Sequence, residues 1–152
     1  MSLETALQFS QLGFAVLPVR GKRPLTPHGV HSASSDPQVF RSWGWKGADC
    51  AVATGWMVDV LDVDIRPRPR SMGGQEEKLG RDRDREGRNG FQTIEEMGLS
   101  LPPTVVASTP SGGRHYWFRH VEGSRSRTIG PGLEWFAKGK SRSFRPRREG
   151  NG

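Results

Sequence analysis

Met57-Val58-Asp59-Val60-Leu61-Asp62-Val63-Asp64-Ile65 is the stretch that decides the fold. It is the strongest strand signal in the chain, because aliphatic residues alternate with acids and successive side chains of a strand point to opposite faces. In a strand, Asp62 and Asp64 share one side, while Leu61, Val63 and Ile65 point the other way into a core. Asp59 has the opposite register and stands apart from the pair. Two carboxylates side by side repel unless a cation lies between them. A divalent ion that takes carboxylate oxygens meets that need, Mg2+ or Mn2+ being the natural choices. A strand end where both acids reach solvent meets it as well.

Outward from this strand, helices and strands alternate. Leu3, Ala6, Leu7 and Leu12 recur at helical spacing behind Ser2, a candidate N-cap, and Gly13 suits the residue after the helix. Phe14 to Val19 reads as a short buried strand closed by Pro18, followed by the basic loop Arg20-Gly21-Lys22-Arg23-Pro24. Ser35 or Asp36, with Pro37 next, opens a short helix through Trp43, and Cys50 to Gly55 is a second strand. Residues 66–90 scatter seven arginines among Pro, Gly and acids and read as a mobile, solvated loop. Phe91 to Met97 predicts a helix ended by Gly98. Val105–Ser108 and His115–Phe118 predict two strands joined by a glycine turn, and Leu133–Phe136 one more. From Lys138 to Arg148 there are six basic residues and no acids, so this tail is expected to be disordered in isolation. The order of elements predicts an α+β domain.

Composition narrows the classes. A length of 152 residues suits one domain, and 33% hydrophobic residues support a modest core. The single cysteine, Cys50, excludes a disulfide framework and a cysteine-based zinc site. No stretch approaches the ~20 apolar residues that span a bilayer, and no basic segment opens the chain, so a cytoplasmic protein with no membrane partner is expected. The formal charge is +7 and uneven: residues 1–65 sum to −1 and residues 66–152 to +8. Eighteen of the 23 basic residues are arginine, which grips phosphate with two hydrogen bonds at once. Nucleic acid or a phosphate-bearing substrate is one reading of this charge, and a solvated basic surface is the other.

Two further motifs carry chemistry. In Thr109-Pro110-Ser111-Gly112-Gly113-Arg114-His115, glycines let backbone N–H groups converge on an anion, with Ser111 and His115 as donors and Arg114 as a fixed charge. This suits a triphosphate tail; an ordinary glycine hairpin has the same sequence. Gly130-Pro131-Gly132-Leu133-Glu134 presents one more carboxylate after a tight turn. Beside Asp62 and Asp64 it would complete a two-ion site for phosphoryl transfer, and alone it is a surface glutamate.

Taken in order, these segments resemble the N-terminal domain of bifunctional DNA primase/polymerases (Prim-Pol), in the archaeo-eukaryotic primase superfamily. The resemblance runs from about Leu3 to Phe136 and also uses Gly21-Lys22-Arg23-Pro24-Leu25, Ala53-Thr54-Gly55 and Leu101-Pro102-Pro103-Thr104. It implies a small N-terminal α/β unit packed with an RRM-like, mainly antiparallel catalytic sheet. It implies metal binding and catalysis by Asp62, Asp64 and Glu134, and nucleotide contacts from Ser111, Gly113, Arg114 and His115. Lys22, Arg23, Arg66, Arg68 and Arg70 are the candidates for holding nucleic acid. The implied activity is template-directed synthesis on single-stranded DNA from nucleoside triphosphates with Mg2+ or Mn2+, in the replication of a plasmid, phage or other mobile element, beside a replicative helicase. The chain departs from the family in its Arg-rich insertion at 66–90 and its short basic end. These departures predict a catalytic domain over 1–137, a tail over 138–152, and a sheet truncated of its last strands. An inactive or truncated module that only binds nucleic acid is the alternative. A nuclease built on the same acids is a third reading, and the triphosphate cradle argues against it.

Overall fold

The computed structural model describes residues 2–67 and 87–143. Arg68 and Arg70, and most of the predicted mobile loop, lie outside the described residues.

Helix α1 (Ser2–Gln11) ends where the sequence says it should, with the Gly13 N–H bonded to the Ser10 carbonyl and Gly13 at φ +87°. Strand β1 (Val16–Arg20) does not stop at Pro18. The Pro18 carbonyl accepts from the Leu25 N–H on the side of β2 (Arg23–Pro24). The missing Pro18 N–H faces that same side, where β2 is only two residues long, so the ladder to β3 (Asp49–Ala53) loses nothing. Helix α2 (Pro37–Arg41) starts at Asp36, whose side chain accepts from the Gln38 N–H at 2.8 Å, and ends before Trp43. The first sheet has the order β11-β3-β1-β2, all antiparallel, with β11 at Ser141–Ser143. Ala6, Val16, Phe40, Cys50 and Val52 are buried beneath α1 and α2.

The second sheet has five antiparallel strands in the order β7-β8-β4-β10-β9. They are β4 (Val58–Val63), β7 (Val105–Ser108), β8 (Arg114–Arg119), β9 (Arg127–Gly130) and β10 (Leu133–Phe136). One face buries Leu61, Val63 and Leu133 under helix α3 (Gly90–Glu96), with Phe91, Ile94, Tyr116, Phe118 and Trp135 around them. The other face turns toward the first sheet: Val58 belongs to that core, and Trp117 packs on it. Both faces of β8 are therefore covered, not only the Tyr116 and Phe118 side. The strand around Asp62 divides at Asp64, after which Ile65–Arg66 (β5) pairs with Arg88–Asn89 (β6). The chain is an α+β domain.

Segment 138–143 corrects the expectation of a disordered tail beginning at Lys138. Its strand β11 pairs with β3 through Ser141–Ala53, Arg142–Val52 and Ser143–Ala51. A polar, basic triplet has little strand propensity of its own. It is recruited because β3 would otherwise leave an open edge. Among the described residues, no helix is long and apolar enough to cross a membrane.

Candidate active-site cleft

Strand register assembles the site. Asp62 on β4 lies directly across from His115 on β8 and from Glu134 on β10. Residues paired in this way present neighbouring side chains on one face. The row His115–Asp62–Glu134 therefore crosses three adjacent strands, and Asp64 follows two residues after Asp62. All four line one cavity of about 460 Å3 between the two sheets. Val19, Gly21, Lys22 and Ala51 line it from the first sheet and its β1–β2 turn, and Thr109 to Ser111 from the β7–β8 hairpin. Acids distant in sequence thus share one cavity, and His115 stands beside them, outside the apolar core.

The acids already face cations of the chain. Arg142 Nη2 donates to Asp62 Oδ2 at 3.1 Å, and Arg66 Nε to Asp64 Oδ2 at 2.8 Å. His115 Nε2 stands 3.5 Å from Asp62 Oδ1. Arg142 sits over Phe136, with its guanidinium carbon 3.3 Å from the ring centroid, and its Nε is buried without a hydrogen-bond partner among the described residues. Burial pulls the His115 imidazole below its ordinary value of 6.5; Asp62 and Asp64 oppose this, and Arg142 adds to it. Burial also pulls the Arg142 guanidinium down, against the charge and hydrogen bond of Asp62.

The hairpin differs from an open anion nest. The Gly112 N–H is spent on the Thr109 carbonyl, and Thr109 Oγ1 meets Ser111 Oγ at 3.0 Å. Gly113 is needed for packing: a Cβ there would collide with the Val63 carbonyl. Arg114 pairs across from Val63, and its guanidinium lies over the Phe91 ring at 5.5 Å. It faces α3, away from the cavity. Arg23 sits on β2 outside the cavity lining, whereas Lys22, Arg66 and Ser111 are on it. Arg142 is a charged cavity residue that the sequence did not reveal. Its only signal was the alternation Ser141-Arg142-Ser143, which is too short and too polar to read as a strand.

Hard carboxylate oxygens opening on one cavity suit Mg2+ or Mn2+ chemically. As the side chains stand, no three His, Cys, Asp or Glu groups among the described residues gather as metal ligands. The countercharge on Asp62 and Asp64 comes from Arg142 and Arg66, so an ion fits the donor set only when these guanidinium groups give way.

A family model described as bifunctional DNA primase/polymerase, N-terminal, matches residues 6–150, nearly the whole chain. The chain belongs to this family, and a function of the primase/polymerase type, with DNA and nucleotides as substrates, follows in general terms. No curated protein matches the chain.

Proposed function

We infer that the cleft between the sheets carries out metal-dependent, template-directed nucleotidyl transfer on single-stranded DNA. The observation that carries this reading is the row His115–Asp62–Glu134 on one cavity with Asp64, Ser111 and Lys22. Asp62, Asp64 and Glu134 would hold Mg2+ or Mn2+, which supplies countercharge to the triphosphate and lowers the barrier to attack by the primer hydroxyl. His115 and Ser111 offer N–H and O–H donors to phosphate oxygens from the opposite strand and its hairpin. Burial keeps the imidazole neutral near pH 7, so it acts as a donor without a fixed charge. Lys22 and Arg66 add positive potential at the walls. The same reading extends to a setting in the replication of a plasmid, phage or other mobile element, beside a helicase.

Primer extension on a primed single strand with Mn2+ tests the reading. D62N and D64N should abolish extension and leave DNA affinity unchanged or raised, because negative charge is removed. Replacing His115 by Ala should cost at least about tenfold in turnover or in apparent KM for the nucleotide. Extension by D62N at the rate of the unaltered protein would sink the proposal. A second reading, a module that binds nucleic acid without catalysis, is favoured by one observation: guanidinium groups already neutralise both acids. Calorimetric titration separates the two. Mn2+ binding that D62N removes supports the enzyme, and no binding supports the module.

A further inference from the structure

Trp56 is 77% exposed, the most exposed large hydrophobic side chain among the described residues. It sits on the turn between β3 and β4, and that turn is clamped. The Thr54 N–H donates to the Lys140 carbonyl at 2.9 Å, and Thr54 Oγ1 donates to the Ala137 carbonyl. Gly55, at φ +83°, lies so close to the Lys138 backbone that no Cβ would fit. The indole is thus carried on a rigid, well-bonded loop and left in water, where it gains nothing from burial.

The surroundings are basic. Lys138 and Lys140 are exposed on the segment that clamps the turn, and no carboxylate among the described residues pairs with them. Arg119 lies across from Val58, two residues past Trp56. Arg125 precedes Ser126, whose hydroxyl accepts from the Ala137 N–H at 2.9 Å. Across residues 54–58, 119–126 and 137–140 there are four basic side chains against one acid, Glu122. The segment then leads inward, since Ser141 and Arg142 line the cavity. Lys138, Lys140 and Arg142 recur at every second residue along the segment that runs from the Gly55 turn to Asp62.

We propose that Trp56, Lys138 and Lys140 form a docking surface for single-stranded nucleic acid, with a base stacked on the indole and the lysines on the flanking phosphates. It extends the cleft of the proposed function and rests on that reading. The argument is charge complementarity joined to a rigid aromatic face: stacking on an exposed ring tolerates any base, and lysine contacts are blind to sequence.

Fluorescence anisotropy with a labelled oligo-dT strand, repeated across salt concentrations, tests it on the whole chain. W56A should weaken binding about tenfold with the salt slope unchanged, and W56F should keep most of the affinity. K138Q/K140Q should flatten the slope of log K against log salt by about 1.4, at ~0.7 per phosphate contact. Nucleotide binding with Mn2+, followed by calorimetry, should be the same in all three variants and in the unaltered chain. Oligonucleotide affinity of W56A within twofold of the unaltered chain overturns the surface, even if nucleotide still binds in the cleft. A W56A change in self-association by sedimentation, with unchanged oligonucleotide binding, makes Trp56 a protein contact and also overturns it. If the unaltered chain binds neither nucleotide nor oligonucleotide, the reading of the cleft fails first and the surface with it.

Discussion

Cys50, the second residue of β3, is 2% exposed, and burial pushes its thiol up to about 12. The thiolate is the reactive species, so Cys50 should resist thiol reagents at pH 8 in the folded protein and react at once in denaturant. Rapid labelling of the native protein would contradict this burial. Asp59 is fully buried, accepting from His120 Nδ1 at 2.9 Å and from the Val121 N–H at 3.3 Å. It ties the start of β4 to the β8–β9 connection, on the face away from the cleft. Asp59→Ala strands the histidine and the N–H, and should cost about 3 kcal/mol in chemical denaturation while leaving nucleotide binding in place. His115 couples the cleft to pH. Its pKa is lowered by folding, so below about 6.5 the unfolded chain binds more protons than the folded one. Stability should therefore fall as pH drops from 6.5 through the folded pKa and be insensitive to this group above 6.5. H115Q should lose less stability than the unaltered protein between pH 7.5 and 5, and equal losses would show that His115 does not titrate in this way.

At the scale of elements, β11 and the Gly55 turn link the two sheets. Strand β11 closes the edge of β3 and places Arg142 on Asp62, while Thr54 and Gly55 clasp the chain just before it. A chain cut after Lys140 should lose measurable stability, expose the β3 edge and leave Asp62 without its guanidinium. Hydrogen exchange should then accelerate at Val52, whose N–H points toward β11, while the Ala53 N–H stays bonded to the Ala15 carbonyl on the β1 side. Unchanged exchange there would show that β11 adds nothing to the sheet. Gly55→Ala combines a positive φ with a backbone collision and should destabilise by more than the ~1 kcal/mol of a simple loop substitution. The longer elements were legible because each carries a local signal: apolar periodicity between Ser2 and Gly13 in α1, Asp36-Pro37 opening α2, Gly98 closing α3, alternation in β4, and short apolar or aromatic runs in the other longer strands. Strands β2, β5, β6, β9 and β11 were not, since they are two to four residues long, mostly polar, and exist only through the partner beside them.

In the whole molecule, the cleft has walls from both sheets, with Lys22 on one and Asp62 and Glu134 on the other. A ligand bridging them stabilises the folded state by mass action. Mn2+ with a nucleoside triphosphate at about 100 times Kd should add about 2.7 kcal/mol to unfolding, and D62N/D64N should abolish the gain. An equal rise in both proteins would place the ligand elsewhere. The sequence by itself determined the α+β class, the shared face of Asp62 and Asp64, and the family, because strand alternation, caps and ordered motifs are local properties written along the chain. Only tertiary structure decided that Glu134 and His115 flank Asp62 in one row, that Arg114 turns toward Phe91, and that Arg142 enters the cleft from a segment with no strand signal. Register and edge pairing are set by packing between distant strands, and a one-residue slip would have sent each of those side chains to the opposite face.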